Sequence, residues 1–190
     1  MRVSLFLALV LLQAAPRPPA DPFATASPRE LGAYRAVIET TKGKITLEFL
    51  ADKAPETVRN FLRLAAAEVY DNTLVHRVLP NVLIQTGAPY YRQLPLTARQ
   101  RRLIHNLPPE FNDTRHVRGI VSMARGDAAD SATTSFFIVT GTSAALDGVY
   151  TAFGRVVDGM AAVEAIEAAP RDGETPRTRI ELKTVRIEKK

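Results

Sequence analysis

Residues 75–87 read VHRVLPNVLIQTG, two short apolar runs that are separated by a turn at Pro80 and Asn81. Short apolar runs on either side of a turn are typical of two neighbouring β-strands. Arg77 lies on the first run and Gln85 lies near the end of the second. Because a guanidinium inside an apolar patch is expensive to desolvate, we interpret Arg77 as a functional residue.

Two further blocks follow in the same chain. The first reads GIVSMAR at 119–125 and continues as SAT at 131–133 and SFFI at 135–138, and the second comprises LDG at 146–148 and FGRV at 153–156. Together with residues 75–87, these blocks resemble, in order and spacing, the signature of the cyclophilin family of peptidyl-prolyl isomerases. The resemblance runs from about Tyr34 to the C-terminus.

Hydrophobic periodicity predicts eight strands and two helices. The strands are 34–40, 44–50, 73–78, 82–86, 119–124, 135–139, 150–157 and 179–187. One helix begins at Pro55, a residue typical of a first helical position, and a shorter one follows Met160. This set of elements predicts a mainly β fold that is either a barrel or a sandwich. Periodicity alone does not distinguish between the two. The resemblance implies a closed eight-stranded antiparallel barrel with two capping α-helices.

The N-terminus predicts export. Arg2 precedes an apolar run at 3–12 that is too short to span a bilayer, which is the pattern of a signal peptide. We assign residues 1–26 to the signal peptide and the start of a linker, 27–33 to the linker, and 34–190 to the isomerase-like domain. An uncleaved membrane anchor is the alternative. We expect an exported protein of the bacterial periplasm, with no stable membrane insertion after cleavage.

Composition excludes several classes of site. The chain has 190 residues and no cysteine, which rules out disulfides, thiolate metal sites and a cysteine nucleophile. The three histidines lack the spacing of metal ligands, so we expect neither a metal nor a cofactor.

The net charge of +5 comes mostly from residues 88–118, which carry six arginines and no glycine. Cyclophilins usually have a glycine-rich loop in this place. We interpret the segment as a solvated loop in which Leu94, Leu96, Leu103 and Ile104 favour a short helix. We expect no specific nucleic acid partner, because no aromatic residues interleave the charges. Anion binding through Arg99–Arg102 is a weaker alternative.

The resemblance implies rotation of Xaa-Pro bonds with Arg77 as the catalytic residue, donating to the prolyl nitrogen. The alternative for Arg77 is an ion pair with a carboxylate at the end of the barrel. We expect Gln85 to orient Arg77 and bind the peptide backbone. The remaining substrate-binding candidates are Val82, Leu83, Ala124, Arg125, Ser135, Phe137, Leu146 and Tyr150. Of these, Leu83, Phe137 and Leu146 would line the proline pocket, and Ala124 and Arg125 would offer backbone groups to an extended peptide.

Strand alternation sends neighbouring residues to opposite faces. We therefore expect Phe136 to pack in the core while Phe137 lines the pocket, and His76 to point away from Arg77 as a core histidine.

Five positions differ from the best-known cyclophilins. Val82 replaces a phenylalanine, Ser135 a glutamine, Ala145 a rim tryptophan, Tyr150 a histidine and Arg125 an asparagine. Each lost aromatic removes about 150–250 Å² of apolar surface, so we expect weaker peptide binding and poor affinity for cyclosporin-type inhibitors.

Two functions follow from these observations. The first is a monomeric isomerase that binds proline-containing segments of folding exported proteins. The second is a proline-peptide binding module or chaperone with little or no catalysis. It is favoured by the loss of larger side chains from the rim of the groove, at Val82, Ser135 and Ala145.

Overall fold

The computed structural model describes residues 21–190, so most of the predicted signal peptide lies outside the described residues. Within that range, no helix combines the length and apolar character needed to cross a bilayer. The described chain contains four α-helices: α1 (Pro28–Gly32), α2 (Pro55–Ala66), α3 (Ala98–Leu103) and α4 (Met160–Glu167). Its strands are β1 (Tyr34–Thr40), β2 (Gly43–Phe49), β3 (Thr73–Leu74), β4 (Arg77–Leu79), β5 (Leu83–Thr86), β6 (Ile120–Met123), β7 (Phe136–Val139), β8 (Ala152–Asp158), β9 (Arg171–Asp172), β10 (Thr175–Pro176) and β11 (Glu181–Lys189).

Nine of these strands form one curled antiparallel sheet in the order β3-β11-β1-β2-β8-β6-β7-β5-β4, and β9 and β10 form a separate hairpin. The mainly β fold is confirmed, but the closed eight-stranded barrel with two helices is wrong, because the sheet is open and has nine strands and the described residues form four α-helices. The sheet is open because the single strand predicted at 73–78 is two strands. The Val75 amide donates to Ile180 beside β11, whereas the next amide, His76, donates to Gln85 of β5. The chain thus changes partner within one residue, and β3 and β4 become the two ends of the ladder.

The main core lies between the sheet and helix α2. Phe61 of α2 is fully buried and contacts Phe136 of β7 and Phe153 of β8, with ring centroids 5.4 and 5.5 Å apart. Phe136 therefore packs in the core, as alternation predicts. Aromatic pairs at such separations stabilise a core beyond the area that they bury.

Regular structure begins before residue 34, within the segment predicted as a linker at 27–33. Helix α1 occupies this segment and begins with a capping box, in which Ser27 and Glu30 satisfy each other's backbone amides. Leu31 and the preceding Phe23 are buried in the main core. The burial of these two side chains joins the segment to the domain.

Candidate active site

Strand register assembles the centre of the site. Arg77 of β4 lies opposite Gln85 of β5, Gln85 lies opposite Phe137 of β7, and Phe137 lies opposite Ser122 of β6. Directly opposed residues in an antiparallel sheet project from the same face. The four side chains therefore form one row across four strands, with the charged donor at the edge of the sheet and the aromatic ring further in.

A cavity of about 390 Å³ opens over this row. Its lining residues are His76, Arg77, Leu79, Val82, Leu83, Gln85, Ala124, Arg125, Phe137, Leu146 and Tyr150. The structure thus gathers Arg77 and every predicted substrate-binding residue except Ser135 around one space. Ser135 lies behind Gln85, where its Oγ donates to the Thr86 carbonyl at 2.9 Å and faces Gln85 Nε2 at 3.5 Å.

Two side chains bind Arg77 from two sides: that of Gln85 and that of Glu174, which is distant in the sequence. Arg77 Nη1 donates to Gln85 Oε1 at 3.4 Å, while Nε and Nη2 donate to the two carboxylate oxygens of Glu174 at 2.6 and 3.4 Å. The Arg77 side chain is 40% exposed and that of Glu174 is 52% exposed. The hydrogen bond from Arg77 lowers the pKa of Glu174 below its ordinary value. Arg77 therefore forms an ion pair with a carboxylate, as the alternative interpretation expected, and it also lines the cavity.

The floor of the cavity is apolar. Leu83, Phe137 and Val139 form a buried cluster of their own, against which Leu146 and Tyr150 pack. The Tyr150 ring meets Phe137 edge-on, with centroids 5.5 Å apart. An apolar floor with one permanently charged donor at its edge suits an uncharged ring more than a polar or anionic group.

The side chain of Arg125 holds the opposite rim together. Its guanidinium lies 5.0 Å from the centre of the Tyr150 ring and 6.0 Å from that of Phe111, and its Nε donates to the Val149 carbonyl at 3.3 Å. Among the backbone groups of Ala124 and Arg125 that we expected to face a peptide, the Ala124 amide donates to the Ser135 carbonyl at 2.9 Å. That amide is therefore already used within the protein.

Sequence reasoning missed three residues of the site. His76 lines the cavity instead of pointing into the core, because residues 75 and 76 lie between β3 and β4, where strand alternation does not apply. Leu79 lies two residues after Arg77 on β4, so the period-two rule would have found it. Glu174 is separated from Arg77 by 97 positions, and no local signal connects them.

His76 also joins the cavity to the segment at 88–118. Its ring stacks on Tyr91, with centroids 4.7 Å apart and an interplanar angle of 16°. Burial, together with the nearby charge of Arg77, lowers the pKa of His76 below its usual value.

A buried polar network supports the floor from behind. His116 Nδ1 lies 2.9 Å from Asp147 Oδ1 and its Nε2 lies 2.8 Å from Ser122 Oγ, while its ring stacks on Phe137 at 6.2 Å. The bond from the His116 amide lowers the pKa of Asp147. Ser122 is fully buried, so its hydroxyl does not reach a substrate despite its histidine and aspartate neighbours. Among residues 21–190, no group of three His, Asp or Glu side chains is placed to hold a metal.

Comparisons with known proteins point to one family. The model of the family described as cyclophilin type peptidyl-prolyl cis-trans isomerase/CLD matches residues 35–189. A peptidyl-prolyl cis-trans isomerase of Synechococcus elongatus is 36% identical over 124 residues, which cover 65% of this chain and 81% of the relative. One from Dictyostelium discoideum is 34% identical and covers 76% of this chain and 92% of its own. The crystal structure of a cyclophilin type isomerase from Cryptosporidium parvum has a TM-score of 0.72 and 26% identity, covering 82% of this chain and 98% of that one.

Proposed function

The chain belongs to the cyclophilin family of peptidyl-prolyl cis-trans isomerases (EC 5.2.1.8), and from that premise we propose that Arg77 is the donor that stabilises the twisted Xaa-Pro bond. One observation carries the proposal: Arg77 lies at the edge of a cavity with an apolar floor, beside Gln85 and in the same row as Phe137. No nucleophile or metal is required, because the reaction breaks no covalent bond.

The chemistry explains why a donor helps. Rotation about a peptide bond has a barrier of about 18–20 kcal/mol, because amide resonance is lost. In the twisted state the prolyl nitrogen becomes pyramidal and regains a lone pair that either planar state lacks. A donor aimed at this nitrogen binds the twisted state more tightly than the planar states, which accelerates rotation. A charge-assisted hydrogen bond contributes about 1.5–3 kcal/mol, or roughly one to two orders of magnitude in rate.

The apolar floor supplies the binding site for the proline ring. Phe137 and Leu83 are buried, and Leu146 and Tyr150 close one side of the cavity. Exclusion of water there strengthens the bond from Arg77. In support, a structure of the Cryptosporidium parvum cyclophilin, 27% identical to this chain with a TM-score of 0.72, was determined in the presence of the dipeptide Ala-Pro.

Isomerisation assays test this role. A protein that starts at residue 21 is compared with its Arg77→Ala and Arg77→Lys variants on a short Ala-Pro peptide. We expect kcat/KM to fall about ten- to a hundredfold in Arg77→Ala, and Arg77→Lys to recover only part of it, because an ammonium lacks the planar geometry of the guanidinium. Unchanged catalysis by a folded Arg77→Ala variant would reject the role of Arg77. Tight peptide binding without catalysis by the parent protein would favour the binding module instead.

The cellular role that we propose is assistance to the folding of exported proteins by a monomer in the bacterial periplasm. The support is the pattern at the N-terminus, with Arg2 followed by the apolar run at 3–12. Because Phe23 is buried in the core, we expect cleavage on its N-terminal side. Mass spectrometry of the full chain recovered from the periplasm of a bacterial host tests this, with gel filtration for the monomer. An intact chain that remains in the cytoplasm would contradict it.

A further inference from the structure

The β9–β10 hairpin covers the edge of the sheet beside Arg77. Strand β4 is the last strand of the ladder, so its outer backbone groups need partners from outside the sheet. The Val78 amide finds one in the Glu174 carbonyl, at 2.7 Å. Glu174 lies in the two-residue loop of the hairpin, next to Gly173, which has a positive φ of 58°. The backbone of Glu174 is therefore anchored one residue away from Arg77.

The side chain of Glu174 uses this anchor to bind the outer edge of the guanidinium. It accepts from Nε and Nη2, while Gln85 accepts from Nη1 on the other side. A guanidinium carries five N–H groups, so these bonds use three of them and leave two at the end of the group. Holding the group from two sides fixes its plane and the direction of the remaining donors.

We propose that Glu174 is a positioning residue for the isomerase reaction, holding Arg77 in the orientation that aims its end-on N–H groups into the cavity. The inference rests on the proposed role of Arg77 and extends it to a residue that contacts no substrate atom.

The physical reason is the flexibility of arginine. A long side chain that is 40% exposed samples many rotamers unless other groups hold it. Rate acceleration by a donor depends on its geometry, and a displacement of about 1 Å strongly lowers the rate. Because Arg77 lowers the pKa of Glu174 below its ordinary value, the carboxylate is charged at neutral pH and available to pair with Arg77. Exposure of both partners keeps its expected effect moderate.

Replacement of the carboxylate tests the inference, with a matched control in the same hairpin. Glu174→Ala removes the pair, and Glu174→Gln keeps an acceptor oxygen without the charge. Asp172→Ala removes the same charge from a residue that binds Arg177 instead, at 2.8 Å. We expect Glu174→Ala to lower kcat and kcat/KM by about three- to tenfold with KM nearly unchanged, as for an interaction made only in the transition state. Glu174→Gln should recover part of the loss, and Asp172→Ala should match the parent protein.

A double variant separates this inference from the role of Arg77. If Glu174 acts through Arg77, then Glu174→Ala has no further effect on kcat in an Arg77→Ala background. The NMR signal of the Arg77 Nε–H should also exchange faster with water in Glu174→Ala.

Three outcomes would overturn the inference while leaving Arg77 catalytic. They are unchanged kcat in Glu174→Ala, increased kcat, which would mean that Glu174 competes with substrate, and an equal loss in Asp172→Ala. If Arg77→Ala itself retains full activity, the proposed function fails instead.

Discussion

Two neighbouring regions of the molecule are held in place by different forces. One is the row of sheet residues Arg77, Gln85 and Phe137, here called the cavity wall, and the other is the segment at 88–118. Backbone hydrogen bonds between β4, β5 and β7 place Arg77, Gln85 and Phe137 in one row. Residues 88–118, which we call the strap, are instead held along helix α2 mainly by side-chain contacts, with isolated backbone bridges at Leu107 and Val117. The difference teaches that ladder register determines where the reactive groups lie, whereas single long-range contacts determine what surrounds them.

The strap is defined by contacts at both ends of α2. At the C-terminal end, Arg92 Nη1 donates to the carbonyls of Glu68 and Val69 at 2.7 and 2.9 Å, and Gln100 Nε2 donates to Ala67 at 2.8 Å. At the N-terminal end, the Glu110 carboxylate accepts from the first amides of the helix, at 2.7 Å from Thr57. The amides at the N-terminal end are among the backbone groups that every helix leaves unpaired, whereas the carbonyls of Ala67, Glu68 and Val69 belong to the C-cap and the two residues after it.

The largest effect is expected in the cavity wall. Phe137→Ala should lower the free energy of unfolding by about 3–5 kcal/mol and weaken peptide binding, because a buried ring is lost from the floor. Tyr90→Ala in the strap is the matched control, since Tyr90 is 88% exposed, and it should change stability by less than about 0.5 kcal/mol. Urea unfolding and peptide titration measure both variants. Equal losses would remove the distinction between the two regions.

A smaller effect is expected where the strap meets helix α2. Arg92→Ala should lower stability by about 1–2 kcal/mol and speed proteolysis within residues 88–118, because two carbonyls lose a charged donor. Catalysis on a short peptide should stay within about twofold of the parent, since the row across the sheet does not depend on the strap. Arg99→Ala, which removes an exposed arginine of the same segment, serves as control. A large loss of activity in Arg92→Ala would mean that the strap shapes the cavity.

A pH dependence is expected where the two regions touch. The pKa of His76 is lowered mainly by burial, so the unfolded chain takes up a proton near pH 6.5 before the folded protein does. The contribution of neutral His76 to stability is therefore complete above pH 6.5 and declines as the pH falls toward the lowered value. Urea midpoints at pH 8 and pH 5.5 should differ less in His76→Gln and Tyr91→Ala than in the parent. An unchanged difference in both variants would exclude His76 as the source.

The smallest effect is expected from the basic helix of the strap. Replacing the exposed residues Arg99, Arg101 and Arg102 together by alanine should leave catalysis and stability within about 0.5 kcal/mol of the parent. Weak binding to nucleic acid at low salt should disappear at physiological salt, where surface charges are screened. Filter binding at two salt concentrations measures this, and salt-resistant binding that the triple variant loses would show a real anion site.

Most of the strands could be predicted because strand patterns are local, whereas the cavity residues were named from the resemblance to cyclophilins. Alternation separated Phe136 from Phe137, and apolar runs located the strands that carry Arg77 and Gln85. A short helix was also expected somewhere within 88–118, and α3 lies in that segment. The division of 73–78 into two strands could not be predicted, because it depends on which neighbour each half binds.

Two other features, the contact of Glu174 with Arg77 and helix α1, were not predicted, for different reasons. Glu174 reaches Arg77 only through the three-dimensional path of the hairpin, so no window of sequence contains both. Helix α1, by contrast, had a local signal in Ser27-Pro28-Arg29-Glu30, which combines a capping box with a proline at the first helical position. The prediction of a linker gave more weight to proline content than to this motif.

The most direct test of the central claim separates binding from rotation for one peptide. NMR exchange spectroscopy on an Ala-Pro peptide gives both the dissociation constant and the cis-trans exchange rate of the bound peptide, for the parent protein and for Arg77→Ala. For Arg77→Ala we expect a dissociation constant within about threefold of the parent and an exchange rate at least about tenfold lower, because the donor acts on the twisted state. An exchange rate that stays the same, or one that falls only because the peptide no longer binds, would contradict the role of Arg77 as the donor to the twisted bond.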